Sequence, residues 1–211
     1  MTRYRWVVLE GGDGAGKTSI RKHLYGAAQR ADQEVLTVIQ TSWLVPEHTE
    51  VITNARFHNR PLPRPRITAA YVGDKEAMTD RLIDPHLAER HVLGDRFVMS
   101  DMVYHQVLWD IPMDDTYQAY ARSRVRFPDL TLFVDTAPET AVRRLMARGS
   151  DRRNRWDNLE TQRRVHELFT HILYHSDRYP ALGRIVVVDN SGDLETTFAH
   201  VDRVFLPWLV P

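Results

Sequence analysis

The sequence predicts an α/β protein: a three-layer α/β/α arrangement around a doubly wound, parallel, five-stranded sheet. Three observations lead there. Short apolar runs rich in β-branched residues recur along the chain, with helix-period segments between them. The runs are close to continuously hydrophobic, as strands covered on both faces must be. A glycine-rich turn joins the first run to the first helical segment, and such turns hold anionic ligands at the carboxyl edge of a parallel sheet.

In chain order, Trp6-Val7-Val8-Leu9 reads as the first strand, Thr18–Arg30 as the first helix and Val35–Ile39 as the second strand. Residues Ser42–Arg66 break the rhythm. Their segment Asn59–Arg66 (NRPLPRPR) carries three prolines and reads as irregular. A long irregular stretch in a compact protein is commonly a binding loop, so residues from about 42 to 75 are expected to form an acceptor-binding insertion. Thr68–Glu89 has helical patterning, with Pro85 expected to kink or split it. His91-Val92-Leu93-Gly94 is the weakest strand candidate. Leu130–Val134 is the next strand, Pro138–Arg148 and Leu159–Tyr174 are helices, Ile185–Val188 is the last strand and Leu194–Phe205 the last helix. No internal repeat or low-complexity linker divides residues 1–211, which read as one domain. Its chemistry is expected just after Leu9, Gly94 and Val134, at the carboxyl ends of strands.

Composition removes several function classes. The 211 residues contain no Cys, which excludes a disulfide framework, a thiolate zinc site and a cysteine nucleophile. Lys plus Arg and Asp plus Glu both number 28, so overall charge implies no basic stripe for duplex DNA. The N-terminal MTRYRWVVLE lacks the apolar core of a secretion signal, and no stretch approaches a membrane span. A cytoplasmic protein is expected. His171 and His175 lie four apart on a predicted helix, with His166 before them. Without an E-x-x-H pattern or Cys, a partly exposed helix face is preferred to a metal pair.

Gly11-Gly12-Asp13-Gly14-Ala15-Gly16-Lys17-Thr18 matches the phosphate-binding pattern G-x-x-x-x-G-K-[ST] in its required context, after a strand and opening a helix. Glycines let the backbone take positive φ and approach phosphate oxygens. Successive N–H groups and the helix start at Lys17 attract anions. Lys17 is expected to reach the β- and γ-phosphates of ATP, and Thr18, followed by Ser19, to serve Mg²⁺ and the phosphates. A guanine-reading N-K-x-D stretch is absent; Asn190-Ser191-Gly192-Asp193 comes nearest and lacks the Lys. Small size and an arginine-rich late segment then favour a nucleotide-type kinase over a GTPase switch or a motor ATPase.

These residues resemble the thymidylate kinase family over nearly the whole chain. Leu9-Glu10-Gly11 through Thr18 resembles that family's E-G-x-D-G-x-G-K-[ST] loop, including its internal Asp. Asp95-Arg96-Phe97-Val98-Met99-Ser100 resembles the D-R-[YFH]-x-x-S motif, and Pro128-Asp129-Leu130-Thr131 the P-D-L-T strand. Asn154-Arg155-Trp156-Asp157 falls where the family has D/E-R-x-E in a mobile lid, here about 148–158. The resemblance implies a P-loop kinase fold, ATP and Mg²⁺ as donor and cofactor, and a homodimer through helices of the Thr68–Glu89 type. It also implies roles. Asp13 would touch the acceptor sugar or the metal shell. Asp95 would hold Mg²⁺ through water and tie down Arg96, which would clamp the acceptor phosphate together with Ser100. Arg155, with Arg152 or Arg153, would neutralise the transferring group, and Arg144 would lie near the adenine.

The departures fall on the acceptor side. Tyr71-Val72-Gly73-Asp74-Lys75 stands where the family has F-x-x-x-R. Tyr71 can still stack on a base, but Lys75 loses the arginine's bidentate fork. Asp101 follows Ser100 where the family has a small or amide residue, and would accept rather than donate. His48, in Pro46-Glu47-His48-Thr49-Glu50, stands near the place of an arginine that holds the acceptor monophosphate. The expected activity is transfer of the γ-phosphoryl of ATP to a deoxypyrimidine nucleotide resembling dTMP. The alternative is a hydroxyl acceptor: a nucleoside, a modified pyrimidine such as 5-hydroxymethyluracil, in DNA as the less favoured case, or a nucleotide-like metabolite.

Overall fold

A computed structural model describes residues 4–147 and 154–209. Five strands form its centre: β1 (Trp6–Glu10), β2 (Val35–Ile39), β3 (His91–Asp95), β4 (Leu130–Asp135) and β5 (Arg184–Asp189). They make one sheet in the order β2-β3-β1-β4-β5, and every pairing is parallel. The helices are α1 (Lys17–Arg30), α2 (Pro46–Arg56), α3 (Arg64–Met78), α4 (Asp84–His86), α5 (Val98–Trp109), α6 (Met113–Ala121), α7 (Pro138–Met146), α8 (Leu159–Tyr174) and α9 (Leu194–Leu209).

Successive side chains of a strand point to opposite faces. Val7 and Leu9 pack with Ile20 and Leu24 of α1 and Val201 and Phe205 of α9. Trp6 and Val8 pack the other way, with Met102 of α5 and Phe169 of α8. All of these are buried, and each such side chain contributes about 1.5–3 kcal/mol by leaving water. Helices therefore cover both faces of the sheet. Strands β2 and β3 lie on one side of β1 and strands β4 and β5 on the other, so the crevice opens where the ends of β1, β3 and β4 meet.

His91–Asp95, the weakest strand in the sequence, lies inside the sheet between β1 and β2. Gly94 is needed there for space: a Cβ would come within 2.5 Å of Trp6 Cη2.

The expected irregular stretch from Ser42 to Arg66 is largely helical. Helix α2 opens with Pro46, and α3 begins at Arg64 with Pro65 in its first turn. Proline is tolerated at both places because first-turn N–H groups have no intrahelical acceptor. Val51, Ile52 and Ala55 of α2 bury against Ile67, Ala70 and Tyr71 of α3. Only residues 57–63 join the two without regular structure.

Pro85 acts differently from a simple kink. Residues Thr79–Ile83 widen into a π turn, with the Asp84 N–H bonded to the Thr79 carbonyl, and α4 follows. The wider turn accommodates a residue that has no N–H to donate. Helices α5 and α6 had no counterpart in the sequence pattern. The first eight residues of α5, Val98–His105, are all buried, so it has no polar face to mark its period. At the C-terminal end, Trp208 lies beneath the Arg5 and Arg184 guanidiniums, 5.5 and 5.7 Å from its ring centre.

Candidate active site

The loop between β1 and α1 is shaped by glycine. Gly14 has φ of 80°, and a Cβ there would meet the Ala141 carbonyl oxygen at 2.3 Å. Gly16 has φ of 97°, and its Cβ would meet Asn190 Nδ2 at 2.3 Å. Only glycine fits either position. The loop is braced from behind through the Ala15 carbonyl, which accepts from Asn190 Nδ2 at 2.7 Å and Thr136 Oγ1 at 3.1 Å. Arg144 reinforces the brace by donating Nη2 to the Asn190 carbonyl at 3.0 Å.

Lys17 opens α1 and turns its buried ammonium back into the loop. Nζ donates to the Gly11 carbonyl at 3.1 Å and the Gly12 carbonyl at 2.7 Å. Burial and the neighbouring Arg96 charge pull its pKa from 10.5 to about 7, against the opposing pull of Asp13, Asp95 and Glu10. Bound phosphates would supply the negative charge that restores its proton. Thr18 and Ser19 are exposed at the first turn of α1.

Beside the loop lies a buried ionic cluster. Arg96 follows β3 with φ of 70°, a left-handed backbone rare for a side chain of this size. Its Nη2 meets Asp13 Oδ1 in a short ion pair. Its Nη1 donates to the Gly11 carbonyl at 2.7 Å and to Ser100 Oγ at 3.0 Å. Burial alone would raise the Asp13 pKa, but the charges of Arg96 and Lys17 overcome it and hold the carboxyl well below its usual range. Asp13 Oδ2 also accepts from Tyr104 OH and Trp156 Nε1, each at 3.0 Å.

Glu10 fixes Ser100 from underneath. Oε1 accepts the N–H groups of Phe97 at 2.8 Å and Ser100 at 3.2 Å, capping the start of α5, and Oε2 takes the Ser100 hydroxyl. Its pKa is raised by burial, although Ser100 and Arg96 work against that. Asp95 ends β3 and pairs with Arg21 of α1 at 3.5 Å. The direct bonds on Arg96 come from Asp13, Gly11 and Ser100, while Asp95 acts on it through its charge.

The residues expected on the acceptor side form a closed polar floor. Lys75 Nζ and Asp101 Oδ2 are 2.7 Å apart, with both side chains fully buried. Lys75 also donates to the Gln40 carbonyl at 2.8 Å. Asp101 accepts from Gln40 Nε2 at 2.7 Å and Tyr120 OH at 2.6 Å. Tyr71 is buried beside them, its ring edge-on to His105 at 4.7 Å. Burial pushes His105 down to about 4, so it is neutral at ordinary pH. His48 lies against Gly73, where a Cβ would meet its Nε2 at 2.3 Å.

Thus the residues expected after β1 and β3 converge: Lys17, Asp13, Arg96 and Ser100 form one cluster, with Asp95 at its edge. Tyr71, Lys75 and Asp101 also come together, but the two charges face each other. Arg155 is exposed, its guanidinium 5.9 Å from the Trp156 ring centre. Arg148, Arg152, Arg153 and most of the expected lid lie outside the described residues. His166 bonds Asp135 at 2.8 Å rather than joining His171 and His175.

Sequence reasoning passed over Glu10, Tyr104, Trp156, Arg21 and Asn190. Glu10, Trp156 and Asn190 lay inside or beside segments already singled out. Tyr104 sits one helical turn beyond Ser100, so helical spacing from that motif was the available signal.

Comparison with known proteins follows the same lines. The family model described as thymidylate kinase matches residues 9–195. A thymidylate kinase of Rickettsia conorii (strain ATCC VR-613 / Malish 7) is 23% identical over 193 residues, covering 90% of this chain and 92% of the relative. One from Rickettsia canadensis (strain McKiel) is 23% identical over 197 residues, covering 92% and 94%. One from Oceanobacillus iheyensis is 26% identical over 175 residues, covering 80% and 76%.

Proposed function

The chain belongs to the thymidylate kinase family, and from that premise we propose that it transfers the γ-phosphoryl of ATP to the 5′-phosphate of a deoxypyrimidine nucleotide, dTMP first. Phosphotransfer, ATP and Mg²⁺ come with the family; the acceptor is the new step. The observation that carries the reading is the Asp13–Arg96 pair, its arginine buried and its carboxylate partly so, beside Lys17 where β1 and β3 end.

Phosphoryl transfer asks the protein mainly for alignment and for charge on the equatorial oxygens. The loop from Gly11 to Ser19 would hold the triphosphate, with Lys17 on its β- and γ-groups. Arg96 is pre-aimed by three partners, and its planar fork suits an acceptor phosphate next to the reacting group. Arg155, from the segment read as a lid, would add charge as the bond breaks. Arg144 braces the loop where the adenine end of ATP would lie. The hydroxyl of Thr18 and the carboxylate of Asp95 are hard oxygen donors that fit Mg²⁺, which neutralises phosphate charge when bound. Asp13, fixed by Tyr104 and Trp156, would orient the acceptor. Tyr71 and His48 would border the acceptor, with Lys75 and Asp101 as its floor. The proposal sets the enzyme in the cytoplasm as a homodimer, on the family's habit of pairing through helices of the Thr68–Glu89 type.

One observation favours a second reading. Lys75 and Asp101 are spent on each other, so neither offers an open hydrogen bond to a thymine edge. A hydroxyl acceptor, on a nucleoside or a modified pyrimidine, is the alternative. Turnover of dTMP, dUMP, dCMP, thymidine and DNA carrying hydroxymethyl pyrimidines separates the two. The proposal expects the highest kcat/KM with dTMP; a nucleoside or modified-base DNA exceeding every monophosphate overturns it.

A further inference from the structure

The Asp13 carboxylate is already engaged at both oxygens. Oδ1 carries Arg96, and Oδ2 accepts from Tyr104 OH and Trp156 Nε1, each at 3.0 Å. Two donors fill the two lone pairs of a carboxylate oxygen. An acceptor group that came to Oδ2 would have to displace one of them.

The two donors are held very differently. Tyr104 belongs to α5, whose residues Val98–His105 are all buried, and the Arg96 guanidinium sits 5.1 Å from its ring centre. Trp156 lies in a turn at residues 154–157, closed by the Asp157 N–H on the Asn154 carbonyl at 3.0 Å. Its backbone is tied down, because the buried Gln162 of α8 donates Nε2 to the Trp156 carbonyl at 3.1 Å. Gln162 also braces the phosphate loop: a Cβ on Gly12 would meet its Oε1 at 3.2 Å. With the carbonyl anchored, the side chain is the part free to turn, by rotation about its two χ bonds. The indole itself is 4% exposed. It therefore fills space directly beside the carboxylate that is expected to meet the acceptor. Arg155 rests on the same ring, with its guanidinium carbon 5.9 Å from the ring centre, and Arg56 sits 5.6 Å from it. Moving the indole thus takes away a contact that holds the Arg155 guanidinium.

We propose that Trp156 is a positioning residue that keeps the acceptor's place on Asp13. The acceptor takes over Oδ2, the indole swings out, and Arg155 is released from the ring to serve the transferring group. This rests on the reading of Asp13 as the carboxylate that meets the acceptor. Arg155 is then engaged only when an acceptor is present, which protects bound ATP from attack by water.

Trp156→Phe keeps a ring and removes the N–H, and three readouts test the proposal. The chain has five Trp, so the Trp156 signal is wild-type fluorescence less that of the variant. It is expected to shift to longer wavelength on adding dTMP and to stay in place on adding ATP alone. The variant is expected to bind dTMP about threefold to tenfold more tightly, because no hydrogen bond to Asp13 has to be broken. Its hydrolysis of ATP to ADP and phosphate without acceptor should rise about twofold to fivefold. A merely structural role would weaken dTMP and lower hydrolysis instead, and that result overturns the proposal. Trp156→Leu takes the place of the phenylalanine variant if that one fails to fold. Label passing from ATP to dTMP while the Trp156 signal stays fixed also overturns the proposal and leaves the acceptor reading standing. If dTMP neither binds nor reacts but another acceptor shifts the signal and binds the variant more tightly, the deoxypyrimidine reading falls and the Trp156 proposal holds.

Discussion

The buried Lys75–Asp101 pair gives a sharp test of how the acceptor floor is built. Asp101→Asn keeps the shape and removes the charge. The Lys75 ammonium then remains fully buried, with the Gln40 carbonyl, a neutral amide oxygen and the rings of Tyr71 and Phe97 around it. Breaking a buried pair in this way costs about 3–5 kcal/mol. Lys75→Met leaves the opposite case. The Asp101 carboxylate keeps two donors, Gln40 Nε2 at 2.7 Å and Tyr120 OH at 2.6 Å, so its cost falls at or below the lower end of that range. The double variant removes both charges, while the amide now at position 101 can still bond Tyr120 and Gln40. It is expected to be more stable than the sum of the singles implies, with a coupling of about 2 kcal/mol or more. Urea unfolding of the four proteins measures this. For a chain of this size, each kcal/mol is also about 2–4 °C in Tm, so Asp101→Asn is expected about 6–20 °C lower. Singles that each cost under about 1 kcal/mol and add without coupling would mean that water reaches the pair, and the closed floor would be refuted.

Other consequences follow from the loop and its arginines. With nothing bound, Lys17 keeps its proton only to about pH 7, against 10.5 in the unfolded chain. The unfolded state therefore binds more protons between those values, and this group makes the unliganded protein more stable as pH rises through that window. ATP binding should take up a proton at pH 8–9 and none near pH 6, read as a buffer-dependent binding enthalpy; uptake that does not change with pH contradicts the assignment. Gly14→Ala forces a Cβ to within 2.3 Å of the Ala141 carbonyl at φ of 80°. It should cost about 1–3 kcal/mol of stability and most of the ATP affinity, measured by nucleotide titration. Arg155→Ala should lower kcat about a hundredfold or more while ATP affinity stays nearly unchanged, because its charge is needed in the transition state. Parallel losses in both would make it an ordinary binding residue.

The parts of the site legible in the sequence are those whose constraints are local. The span from β1 through Lys17 needs glycines and a lysine at fixed spacing, and the same holds for Asp95, Arg96 and Ser100 after β3. What was hidden depends on partners far apart in the chain. Lys75 and Asp101 each stood out, yet nothing local says that one neutralises the other. Trp156 and Tyr104 converge on Asp13 from different elements. Helix α2 was hidden for another reason: it lay in a stretch read as irregular on the strength of its prolines, although prolines in a first turn start helices. Helix α5 escaped because burial on every side erased its period.

The central claim is that Lys17 and Arg96 serve one phosphoryl transfer, from a triphosphate in the loop to a nucleotide beside Asp13. The direct measurement is the fate of γ-labelled ATP incubated with dTMP and Mg²⁺, for wild type and for folded Lys17→Ala and Arg96→Ala. Labelled dTDP from wild type, with both variants reduced about a hundredfold or more, is the result expected. Label that never reaches a nucleotide, or reaches it equally well without Lys17 or Arg96, would contradict the account.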